Sequence, residues 1–153
     1  MLWRKYPNYL DELTLSALSE NLQGDSQSSI PFLVWILENP ASPLCLPGNI
    51  DLFGHDIIHH LLKKGFTPSQ EAYVVGFTMG NDIDTNRIHL WIFKIATYFL
   101  YPSKYKLNQS QLKTFDLGVR HGRAAQVKNL NKFDWNKWSF KLLKDIRSEL
   151  ELG

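Results

Sequence analysis

The chain has a single cysteine, Cys45, in 153 residues. No internal disulfide can form, and the composition suits a reducing compartment such as the cytoplasm. Long apolar runs are also missing. The longest, Ile88 to Leu100, is broken by Lys94 and falls short of the roughly 20 residues that a membrane-spanning helix needs. It reads as a buried or interfacial helix. The start, Met-Leu-Trp-Arg-Lys-Tyr-Pro, lacks the apolar core of a secretory signal. Net charge is slight, at +2, from 17 basic and 15 acidic residues, with a pI near 8.6. That balance argues against a nucleic-acid partner, which requires a clustered basic surface. There is no clean period-two alternation, no Asn-Gly hairpin turn, no internal repeat and no low-complexity tract.

What remains is helical. Hydrophobic residues make up 44% of the chain and charged residues 21%, an ordinary folded composition, and the length suits one domain over residues 1–153. Leu10, Leu13, Leu15, Leu18 and Leu22 mark a helical stripe between Tyr6 and Leu22. A polar loop follows at Gly24–Ser29, then a short apolar helix over Phe32–Glu38, then a proline-rich connector from Pro40 to Asn49. Asp51 caps a helix through Lys64, with Gly65 as its left-handed stop. Thr67-Pro68-Ser69-Gln70 is a capping box that starts a helix to about Met79, two or three residues after the last. Asp84 or Thr85 restarts the chain, and a helix over Asn86–Tyr101 ends at Pro102. Asn108 or Ser110 begins another, to about Val127. Asp134 caps the last, with Trp135, Trp138, Phe140, Leu142, Leu143, Ile146 and Leu150 as its apolar positions. The expected fold is an all-α, single-domain bundle of six or seven helices.

One constellation carries chemistry. His55-Asp56-Ile57-Ile58-His59 is followed, after residues 60–70, by Glu71. On a helix, positions i and i+4 share a face. At 100° per residue His55 lies at 0°, His59 at about 40° and Asp56 at about 100°. Both imidazoles can point at one divalent ion, with Asp56 at the edge of the arc as ligand or as acceptor for an imidazole N–H. Glu71 returns from the start of the next helix. His60 lies off the arc. His89 reads as a satisfied core histidine, and Asp82 as a residue of a helix C-terminal turn. The high aromatic content, 13% with five Trp, suits a ring-rich core and interface, or a pocket for an apolar ligand.

These residues resemble the coenzyme Q (ubiquinone) biosynthesis protein 4 family, whose pattern is H-D-x-x-H, eleven residues, then E. The C-terminal part is similar to it as well. Gly118-Val119-Arg120-His121-Gly122-Arg123-Ala124-Ala125 looks like the family's G-x-x-x-G-R-x-A helix, and Asp134-Trp135 with Leu143-Lys144-Asp145-Ile146-Arg147-Ser148-Glu149-Leu150 like its closing helix. The resemblance covers residues 50–153; residues 1–50 match poorly. It implies an all-helical protein with His55, Asp56, His59 and Glu71 as ligands of a divalent metal, usually taken as zinc. It also implies a prenylated quinone precursor or isoprenoid lipid as ligand, other quinone-biosynthesis proteins as partners, and peripheral membrane contact. The implied role is removal or oxidation at the ring carboxyl carbon, or support of the biosynthetic complex. Gly118 and Gly122 would let another helix approach closely.

Two other classes compete. His55-Asp56-x-x-His59 looks like the metalloprotease H-E-x-x-H with Asp in place of the general base. A phosphohydrolase using a His-Asp pair needs a further ligating His upstream, and none precedes His55. A non-enzymatic lipid-binding or scaffold protein, as a homo-oligomer or alone, would use the metal only structurally.

Overall fold

A capping box at Thr67 sets the central helix. The Thr67 hydroxyl takes the N–H of Gln70, the Gln70 side chain takes the N–H of Thr67, and Pro68 occupies the first helical position. The computed structural model describes residues 6–21, 40, 42 and 45–152. Within them lie six α-helices: α1 (Leu15–Asn21), α2 (Leu52–Leu61), α3 (Pro68–Asn81), α4 (Arg87–Ile95), α5 (Gln109–Ala124) and α6 (Leu143–Glu149). Short 3-10 turns at Asn8–Glu12, Ser103–Tyr105, Leu130–Lys132 and Trp135–Trp138 link them, and a π-helical turn, Ala96–Leu100, extends α4. No strand is found among the described residues; the sole extended pairing there is an isolated bridge between Thr14 and Leu142. The fold is all-α. The expected loop at Gly24–Ser29 and helix at Phe32–Glu38 lie outside the described residues.

The bridge corrects two boundaries at once. The expected helix from Tyr6 to Leu22 is interrupted at Leu13–Thr14, and the expected last helix at Ser139–Leu142. The interruptions face each other. Leu15 N donates to Lys141 O at 3.1 Å, Ser16 N to Ser139 O at 2.9 Å and Leu143 N to Leu13 O at 2.9 Å. Backbone groups freed by breaking each helix are thus satisfied by the other break. Leu10, Leu15 and Leu18 from one side and Trp135, Leu143 and Ile146 from the other then share a core with Ile57, Ile58 and Leu61 of α2. Phe140, expected inside, is 90% exposed because it sits in the interrupting turn.

α3 and α5 form the closest pair. α5 starts at Asn108 through a second capping box, with Gln111. Gly118 and Gly122 of α5 meet Gly76 and Gly80 of α3, a matching pair that sequence reading passed over. A Cβ on Gly118 would lie 2.1 Å from the Tyr73 carbonyl oxygen, and one on Gly76 2.2 Å from that of Phe115. The backbones touch directly. α3 therefore spans both hydrophobic clusters, with Val74 and Phe77 in one and Ala72 and Met79 in the other. Asp82 caps the far end of α3, as a helix C-terminal turn residue. Its carboxylate accepts from Gly48 N, Asp84 N, Asn131 Nδ2 and Lys132 Nζ, well removed in sequence from Glu71 at the near end.

Candidate metal centre

α2 begins where the Asp51 carboxylate accepts the Gly54 N–H at 2.7 Å. It ends differently from expectation. The left-handed residue is Lys63, with φ 52°, rather than Gly65. Lys63 N donates to His60 O at 3.2 Å and Lys64 N to His59 O at 2.8 Å, the paired bonds of a Schellman turn. The connector to α3 is accordingly six residues, Leu62–Thr67, longer than the two or three expected. The extra residues matter: they bring the Gly65 carbonyl back under α2 and place Phe66 flat on the His59 ring, with centroids 4.3 Å apart.

The two imidazoles and one carboxylate converge. His55 Nε2 lies 3.0 Å from His59 Nε2, and Glu71 Oε2 lies 3.0 Å from the first and 3.2 Å from the second. His59 Nδ1 sits 2.9 Å from the Gly65 carbonyl oxygen. A carbonyl only accepts, so Nδ1 carries the proton. The ring is wholly buried, and burial pulls its basicity down, so Nε2 is a bare lone pair. Glu71 stands in the first turn of α3, near the positive end of the helix dipole. Burial alone would raise its carboxyl, but hydrogen bonding at the imidazole edge, that of His55 first, prevails and holds it well below the usual carboxylate range. Three electron-rich atoms thus face one another, with at most one proton, on His55, among them.

That donor set fits a divalent cation. Ions of the zinc class sit about 2.1 Å from imidazole nitrogen and carboxylate oxygen. At that radius the observed spacings subtend angles of about 90–100°, a facial set of three with the opposite side free. The side chains of His55 and Glu71 keep 18% and 36% of their surface, while His59 keeps none. The free side is toward solvent, an open position of the kind a reactive site has. His55, His59 and Glu71 are the group of potential ligands among the described residues that lie within 4.8 Å of one another.

Asp56 stands outside that group. It is buried, and burial pushes its carboxyl up to about 6, with the charge of His55 pulling the other way. It lies at the edge of the helical arc where the projection put it. His60, off the arc as expected, is buried with its ring edge toward Tyr6 and Phe66, and burial takes it down to about 4. His89 is not a core residue. It is the reciprocal partner in a capping box with Asn86, whose N–H it accepts on Nδ1 at 3.3 Å. Sequence reading missed Gly65, Phe66 and Arg147. The Arg147 guanidinium bonds the carbonyls of Leu61 and His60 at 2.9 and 3.1 Å and pairs with Asp11 at 3.0 Å, pinning the end of α2 beside the site. A carbonyl that orients an imidazole has no side-chain signature, so nothing in the sequence marks Gly65. Arg147 stands in the closing-helix motif, but nothing in that motif shows which carbonyls it bonds.

No protein-family model, no curated protein and no solved structure matches this chain. The site's chemistry stands on its geometry. No helix among the described residues is long and apolar enough to cross a membrane.

Proposed function

We propose that this is a divalent-metal protein of quinone biosynthesis, with the ion, expected to be zinc, held by His55, His59 and Glu71 and with Asp56 balancing charge beside them. Its ligand is a prenylated aromatic precursor, and its role is modification of that ring or support of the assembly that modifies it, at the membrane periphery. The observation that carries the metal is the convergence of His59 Nε2, left without a proton because Nδ1–H donates to the Gly65 carbonyl, with Glu71 Oε2 and His55 Nε2. Lone pairs so placed repel unless a proton on His55 or a metal cation lies among them, and a cation can engage all three at once.

The quinone assignment is supported by where the resembling motifs fall. H-D-x-x-H and the following Glu supply the converging atoms. The G-x-x-x-G helix packs on the helix that carries Glu71. Arg147 of the closing helix bonds the last carbonyls of the His helix. All three motifs thus fall on, or pack against, the two helices that carry the converging atoms. A divalent ion supplies positive charge that polarises a ring carboxylate or an oxygen donor. The chain itself fixes the His59 tautomer, keeps Glu71 ionised, and excludes water from the side covered by Phe66 while leaving the other open.

Metal analysis of the purified protein tests this. The expected result is about one divalent ion per chain, falling well below that in His55→Ala and His59→Ala. Unchanged metal content in both variants would sink the site. Lipid extraction with mass spectrometry tests the ligand, and an isoprenoid-free protein would remove the support for a quinone precursor.

A further inference from the structure

The run Ile88–Leu100, expected to be buried or interfacial, has two faces. Phe93, Ala96 and Thr97 enter the interior. Ile88, Trp91, Phe99 and Leu100 are each more than 60% exposed. Ile88, Trp91, Ile95 and Phe99 recur at i, i+3, i+7 and i+11, a single stripe along α4 and the π turn. The wider turn, closed by Tyr101 N on Ala96 O at 2.8 Å, sets the Tyr98 ring edge-on to Phe99. With Lys94, Ile95, Gln109 and Leu112 these two rings border a groove of about 360 Å³.

Charge on this part of the chain is one-sided. From Thr85 to Phe115 there are five cations, Arg87, Lys94, Lys104, Lys106 and Lys113, and no Asp or Glu. All but Lys94 are exposed; Lys94 pairs with Asp116. Arg87 precedes the stripe, and Lys104 and Lys106 follow it.

We propose that this face seats on an anionic lipid surface. Trp91, Tyr98 and Phe99 would lie at the boundary between headgroups and acyl chains, where amphipathic rings partition. The flanking cations would meet lipid phosphates. A second copy of the chain fits this face worse. A two-fold contact would set the same cations against themselves, and the acids flanking the segment, Asp84 and Asp116, are engaged by Lys132 and Lys94. The proposal takes up the membrane contact of the preceding reading by naming the face and the headgroup charge, and rests on the surface alone rather than on the metal.

Co-sedimentation of the full chain with vesicles of phosphatidylcholine, with and without phosphatidylglycerol, tests it. The expected result is binding to the anionic vesicles and little to the neutral ones. Lys104→Gln/Lys106→Gln should weaken binding roughly 25-fold, at about fivefold per cation near such a surface. Trp91→Glu/Phe99→Glu should abolish it with the far-ultraviolet circular dichroism unchanged. Equal binding to both vesicle types, binding by the double glutamate variant, or a solution dimer that this variant splits would each overturn the proposal. Vesicle binding that survives in metal-free His59→Ala keeps this proposal whatever becomes of the metal reading. Full metal content without vesicle binding strikes this proposal and leaves the metal reading standing.

Discussion

Gly118→Ala adds one methyl group at a position where the structure leaves no room for it. Its Cβ would lie 2.1 Å from the Tyr73 carbonyl oxygen and 2.9 Å from the Phe77 nitrogen. A carbon and an oxygen rest at about 3.2 Å or more, the shortest separation of an ordinary C–H···O contact being near 3.3 Å. The helices must therefore part by about 1 Å, or the methyl must be absorbed by bending α3. Overpacking of this kind costs about 1–3 kcal/mol. An exposed helical Gly→Ala change would instead gain about 1 kcal/mol from propensity. Because the obstacle is backbone, which has no rotamer to yield, the upper part of the range applies, and the expected net loss is about 2 kcal/mol. Gly122→Ala meets the Phe77 carbonyl at 2.1 Å and should cost about the same. The double variant is the sharper measurement. One parting of the helices makes room for both methyl groups, so the combined loss should fall short of the sum by about 1 kcal/mol. Urea unfolding followed by circular dichroism reads all three values. A Gly118→Ala protein as stable as the parent, or a double variant that is strictly additive, would refute the close backbone contact. Metal affinity should fall as well, since Tyr73 lies two residues from Glu71 on the displaced helix.

Other outcomes follow from single contacts. Thr67→Ala removes the cap that starts α3 and should cost about 1 kcal/mol in the same assay, with a loss of metal affinity because Glu71 lies in that first turn. Asp82 should govern part of the acid limb of stability. Burial would raise its carboxyl, but the hydrogen bonds from Asp84 N, Gly48 N, Asn131 and Lys132 prevail and lower it. A depressed folded value stabilises above the unfolded value of about 3.9 and is lost as pH falls through the folded one. Asp82→Asn should therefore flatten the pH dependence of the melting temperature below about pH 4, and an unchanged acid limb would contradict that role. Phe140→Ser, at a site 90% exposed, should shift stability by no more than about 0.5 kcal/mol; a larger loss would mean the side chain is covered.

The elements with chemical start signals were legible. Asp51, Thr67-Pro68-Ser69-Gln70 and Asn108 each cap the helix expected of them, because a cap is a local bond between near neighbours, whereas Asp134, expected to cap the last helix, precedes only a 3-10 turn and makes no cap bond. Expectation failed where distant segments decide. The leucine stripe from Leu10 to Leu22 fits one helix by periodicity, and so does the run from Trp135 to Leu150. Each is broken by bonds to the other, more than 120 residues away, which no window of sequence contains. Trp91 and Phe99 look like core by composition. Only the placement of Phe93 against Phe115, rings stacked at 4.9 Å, decides which side of α4 faces inward.

The same distinction applies within the site. Spacing brought out His55 and His59, on adjacent turns of one helix, with Glu71 in the first turn of the next. Spacing could not show what sets their lone pairs, which is backbone. Gly65 O selects the His59 tautomer, and Gly65 reaches it because Lys63 turns left-handed rather than because Gly65 does. A lysine in that conformation is held by its surroundings: Lys63 pairs with Asp11 at 3.2 Å, and Asp11 pairs with the Arg147 that bonds the two carbonyls preceding the turn. The residues that set the lone pair on His59 thus come from three separate parts of the chain. A search for metal sites by ligand spacing alone would score His55-x-x-x-His59 the same with or without them, although without them the proton on His59 could sit on Nε2, where it would block the ion.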